Sequence, residues 1–139
     1  FRKVEMDSVT LQHAPRCGEV RFKDLNDNPI TPTSSSGQEL VENNCNDNGW
    51  IWGASSYYIA DFGTAVAVGS VEFYTTCGVP GCSRGANMRT YHSSDGSSWS
   101  EMPHNSPWNF LTDGSLGCGW YNSGDLQYGA AGPYGPNTP

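Results

Sequence analysis

The chain has 139 residues and a mass of 15.0 kDa, enough for one domain. Gly, Pro, Ser and Asn together fill 53 of the 139 positions, which excludes long helices because all four disfavour helix interiors. A net charge of −7, with only two Lys and five Arg, excludes the basic stripe that nucleic acid or an anionic membrane surface requires. Aromatic residues at 12%, gathered in patterned stretches, set the chain apart from disordered sequences.

The opening run from Phe1 to Val9 alternates apolar and polar residues and predicts a half-buried strand. Residues 17–25 alternate again, with Val20 and Phe22 on one face and Arg21 and Lys23 on the other. Asn26-Asp-Asn-Pro29 turns the chain, and residues 31–37 read as a solvated loop. A polar, Asn-rich stretch over 38–48 leads into Gly49-Trp-Ile-Trp52. Tyr57 to Phe62 is a strand ending in a Gly63-Thr64 turn, and Val66 to Thr75 carries the clearest strand pattern. Asn87 to Ser94 is another strand, closed by the Asp95-Gly96 turn signal. After Trp99 the pattern fades, and the Gly/Pro-rich tail over 128–139 is excluded from any central strand. Short strands with turn signals every 8–12 residues predict an all-β, antiparallel sandwich or jelly roll over residues 1–127.

Cysteines stand at 17, 45, 77, 82 and 118, with no Cys-x-x-Cys pair and no His at zinc-ligand spacing. Cys77-Gly-Val-Pro-Gly-Cys82 places two thiols on either side of a tight turn, so Cys77 and Cys82 are expected to form a disulfide. Cys45 with Cys118 or with Cys17 are the candidates for a second bridge. An odd cysteine then remains, free or linked to another chain. No stretch approaches 18 apolar residues, so no membrane span is expected. Acidic, Lys-poor and Cys-bearing, with no charged-then-apolar leader at its start, the chain reads as mature, secreted and extracellular.

Several motifs in order resemble one family. They are Trp50 before Tyr57-Tyr-Ile-Ala-Asp-Phe-Gly63, then Val68-Gly-Ser-Val-Glu-Phe-Tyr74, then Met88-Arg-Thr-Tyr-His-Ser-Ser-Asp-Gly-Ser-Ser-Trp99. Upstream, Phe1-Arg-Lys-Val-Glu5 and Gly18-Glu-Val-Arg-Phe-Lys-Asp-Leu-Asn-Asp-Asn-Pro-Ile30 extend the likeness. The set is similar to discoidin-like domains, also called galactose-binding-like or coagulation-factor type C domains. Phe62 stands where that family has Leu in Asp-Leu-Gly, and the likeness covers about residues 1–102. The resemblance implies a jelly roll that holds a glycan or glycoprotein in loops at one end, as a lectin-like adhesion module. Trp99 is expected to plug the core, Trp50 likewise, and Asp61 to cap a turn.

Sugar sites need a flat aromatic and a few planar hydrogen-bonding groups. Trp52, Tyr57, Arg84, Arg89, His92 and Trp108 are the candidates for ligand binding. Calcium is the expected ion, because Glu42 to Gly49 packs hard oxygen donors into eight residues, with Asn43, Asp47 and Asn48 as ligands. Asn26-Asp27-Asn28 is a second choice. No enzyme activity is expected: the acids form no acid/base motif, and His92, Ser94 and Asp95 are neighbours that point different ways. The alternative to a glycan-binding module is a structural subunit of an extracellular fibre or matrix. In that reading the odd cysteine or the tail, with Tyr128 and Tyr134, builds a homo-oligomer or filament.

Overall fold

The computed structural model describes residues 1–9, 16–37, 50–53, 55–77, 85–102, 109–111, 117–124 and 126. Among these, every regular element is a strand: β1 (Arg2–Val9), β2 (Arg16–Lys23), β3 (Pro29–Ile30), β4 (Ser34–Gly37), β5 (Trp50–Ile51), β6 (Tyr57–Asp61), β7 (Ser70–Cys77), β8 (Gly85–His92), β9 (Ser100–Glu101), β10 (Asn109–Leu111) and β11 (Gly117–Asn122). They make two antiparallel sheets. One runs β10-β8-β1-β6-β4, with β9 also on β8; the other runs β11-β7-β2-β3, with β5 also on β2. Among the described residues no helix is long and apolar enough to cross a membrane.

Period-2 alternation decides which side chains enter the core. On β1, Arg2, Val4 and Met6 are buried, while Lys3, Glu5 and Asp7 face outward. On β2, Val20 and Phe22 turn inward and Arg21 and Lys23 outward, as the sequence pattern requires. Tyr58, Ala60 and Phe62 enter from β6 and its end, Val71 and Phe73 from β7, and Met88 and Thr90 from β8. Phe22 crosses the gap between the sheets. Its ring stacks on Tyr58 at 6.5 Å and meets Phe62 edge-on at 5.5 Å. Each fully buried ring of this kind contributes about 1.5–3 kcal/mol through surface removed from water. The two sheets thus share one core, the arrangement of a β-sandwich.

The turns explain where the strands stop. Asp24 Oδ1 accepts from the backbone N–H of Asn26 and Asn28, and Asp27 takes a φ of 66° while its carboxylate faces Lys23 Nζ at 3.5 Å. The 26–28 tract is therefore a self-satisfied hairpin turn, its nearest carboxylates spent on backbone and on lysine. After β8, Asp95 Oδ1 accepts from Ser97 and Ser98 N–H and from the Ser93 hydroxyl, and Gly96 takes a φ of 77°. Those bonds, led by the Ser98 N–H, hold the Asp95 carboxyl down at about 2.

Two sequence expectations are corrected. Residues 34–37, expected as loop, form a strand: β4 is exposed at all four residues and owes its extended shape to pairing with β6. Trp99 is half-buried and lies outside the core. The turn returns it over the outer face of the larger sheet, where Lys3 Nζ sits 5.0 Å from its ring and 4.5 Å from that of Tyr91.

A candidate binding cleft around Arg2

Arg2 occupies a core-facing position, in phase with Val4 and Met6, and is 5% exposed. A buried guanidinium needs acceptors and a counter-charge. Its Nη2 donates to the Val66 carbonyl at 2.7 Å and its Nη1 to the Phe1 carbonyl at 3.1 Å. Its Nε is buried with no acceptor, and no carboxylate among the described residues forms an ion pair with it.

Across the ladder, Arg2 faces His92 of β8 on one side and Ala60 of β6 on the other. His92 points inward and is 5% exposed. Burial, followed by the neighbouring Arg2 charge, lowers its pKa to about 4. The imidazole is therefore neutral at neutral pH, and Arg2 together with the Phe1 ammonium supplies the positive charge at this end of the sandwich.

A cleft of about 200 Å³ opens here, where β1 begins and β6 and β8 end. It is lined by Phe1, Arg2, Asp61, residues 63–66, Ser93 and Ser94. Asp61 is fixed from both sides. Its Oδ1 caps the turn by accepting from Gly63 N–H at 2.8 Å, as expected from sequence, and Thr33 donates its N–H and hydroxyl to the Asp61 carbonyl. Gly63 takes a φ of 73°, a conformation that a side chain would strain. Phe1 exchanges backbone hydrogen bonds with Ser93 in both directions, and its ring lies against Gly96. The Ser93 hydroxyl donates to Asp95 and accepts from the N–H groups of Asp95 and Gly96. Thr64 and Ser94 are exposed at the rim. The cleft thus offers the Arg2 guanidinium, the Phe1 ammonium held on the Ser93 carbonyl at 2.8 Å, the Asp61 carboxylate, hydroxyls and an aromatic ring, all on backbone that is hydrogen-bonded in place.

Of the six residues expected to bind ligand, the four that are described, Trp52, Tyr57, Arg89 and His92, do not come together. Trp52 is fully buried, edge-on to Phe73 at 5.4 Å, so it is a core residue and presents no face to a ligand. Tyr57 is 41% exposed and shares the outer face of the larger sheet with Arg89, the two standing on opposite sides of Glu5. Arg89 is held there by Asp7 at 3.4 Å and Glu101 at 3.6 Å. His92 alone stands at the cleft end, behind Arg2. Arg84 and Trp108 lie outside the described residues, as do Cys82 and the calcium candidates Asn43, Asp47 and Asn48; of Cys77 only the backbone, ending β7, is described.

Sequence reasoning missed Arg2 as a site residue, and assigned Asp61 only its turn-capping role. The signal for Arg2 was present, because alternation over Arg2-Lys-Val-Glu-Met6 puts it in phase with Val4 and Met6. Asp95, read beside His92 and Ser94, has its carboxylate turned onto the 93–98 turn. Comparison with protein-family models, curated proteins and solved structures finds no match to this chain. The class defined by the fold is an antiparallel β-sandwich, with a small cleft of mixed polar and apolar lining at one end.

Proposed function

We propose that the chain is an extracellular, discoidin-like jelly-roll module that binds a saccharide in the cleft around Arg2. One observation carries this reading: a donor, an acceptor, hydroxyls and an aromatic ring converge on a single cleft large enough for a sugar residue. Saccharides are recognised by that mixture, with hydroxyl pairs bridging charged planar groups while the C–H face rests on a ring. The ordered motifs over residues 1–102 support the family assignment, and calcium held by Asn43, Asp47 and Asn48 belongs to the same proposal.

The test is binding of the labelled protein to an array of immobilised glycans, with competition by free sugar. Saturable binding that free sugar displaces, and that Asp61→Ala with Ser94→Ala abolishes, supports the reading. An array blank at high protein concentration overturns it.

A second reading is a subunit of an extracellular assembly. It draws on β4, which is paired only with β6 among the described residues and is exposed throughout. A strand edge of that kind can template pairing with another copy. Reductant- and dilution-dependent multimers in solution favour this reading; a monomer at all dilutions removes it.

A further inference from the structure

Arg2 has three N–H groups left after its two backbone bonds, since a guanidinium carries five. The Nε–H is buried, which leaves two unspent Nη donors on a residue that lines the cleft. Arg2 is 5% exposed and has no ion-pair partner among the described residues, a state that an incoming anion would relieve. Asp61 lines the same cleft and is already committed to Gly63 N–H. Arg2 and the Phe1 ammonium against the Asp61 carboxylate leave one net positive charge in the cleft, which a single ligand carboxylate seated on Arg2 balances. His92 is neutral and adds no charge, so the other cation lining the cleft is the Phe1 ammonium, which is hydrogen-bonded to the Ser93 carbonyl.

Resting on the saccharide reading above, we infer that the cleft selects saccharides carrying a single carboxylate, of the uronate or sialate class, seated on the Nη groups of Arg2. The remaining hydroxyls of the sugar then face Asp61, Thr64 and Ser94, and its ring lies toward Phe1. A planar carboxylate suits this position because charge-assisted bonds to a guanidinium are short and about twice as strong as neutral ones.

Isothermal titration with matched probes tests this: glucuronate, its neutral methyl ester, glucose, N-acetylneuraminate and acetate. The expected result is that glucuronate or N-acetylneuraminate binds roughly 10-fold or more tightly than the methyl ester or glucose. Arg2→Met should remove that preference while leaving weak binding of the neutral sugars. Because Met fills the same channel without a charge, the variant is expected to fold, checked by its thermal transition. A second variant, Arg2→Lys, keeps the charge without the fork and should retain only part of the preference. Equal affinity for glucuronate and its ester overturns the carboxylate inference and leaves the saccharide reading standing. Acetate binding as tightly as glucuronate, with Arg2 dependence, overturns the saccharide reading and keeps Arg2 as an anion site. Silence toward every probe overturns both.

Discussion

Acidification through the range from about 6.5 to about 4 should weaken the fold through His92. In the unfolded chain its imidazole takes up a proton near 6.5, and in the folded protein only near 4, because burial and then Arg2 oppose the charge. Between those values the unfolded state binds the extra proton, so stability falls as pH falls through the window. Above 6.5 the group contributes nothing, and below about 4 the loss is complete. The gap of about 2.5 pH units, at about 1.36 kcal/mol each, gives a loss of about 3 kcal/mol. His92 is 5% exposed but lies close to the mouth of the sandwich, so solvent screening makes about 3 kcal/mol an upper bound. Urea unfolding of the native protein and of His92→Gln at pH 7.5, 6, 5 and 4 measures it. The native protein should lose about 1–3 kcal/mol more than the variant across the series. Parallel curves for the two proteins would refute the reasoning. Asp95 does not confuse the result: its stabilisation is present above about 3.8 and fades only as pH falls toward about 2.

Thr90 is fully buried opposite Val4 with its hydroxyl unpaired, so Thr90→Val should stabilise the fold by about 1 kcal/mol, seen as a rise in Tm of a few degrees. Ser123 is 1% exposed and its Oγ accepts from the buried Val71 N–H, so Ser123→Ala should cost about 1–3 kcal/mol in urea unfolding. A Cβ at position 69 would lie 2.7 Å from the Asp24 carbonyl oxygen, and Gly69→Ala should lower stability by about 1–3 kcal/mol, read as a lower urea midpoint. Under the calcium proposal, EGTA should lower Tm and added Ca²⁺ restore it; a Tm indifferent to both removes calcium from the account.

The sandwich was legible because alternation is a local signal. Val4 and Met6, Val20 and Phe22, and Tyr58 and Ala60 all fall on the face their spacing dictates. Ser34 to Gly37 was not legible, since a strand with no apolar side chain is specified by its neighbour β6 and not by its own residues. Trp52 and Trp99 exchanged roles relative to expectation, one buried and one on the outer face. Both sit just outside regular strand, where parity cannot be carried across irregular backbone. The cleft was half legible. Asp61 announced its turn, but nothing in a linear reading brings the start of β1 beside residues 63–66 and 93–94; that juxtaposition comes from antiparallel pairing over long separations.

The measurement that bears most directly on the account is backbone amide chemical-shift mapping of the isotope-labelled protein during titration with N-acetylneuraminate and glucuronate. The account predicts saturable shifts concentrated at Arg2, Asp61, residues 63–66, Ser93 and Ser94. Shifts confined to the outer sheet face, at Tyr57, Arg89, Tyr91 and Trp99, would contradict it and move the binding site to the surface of the larger sheet.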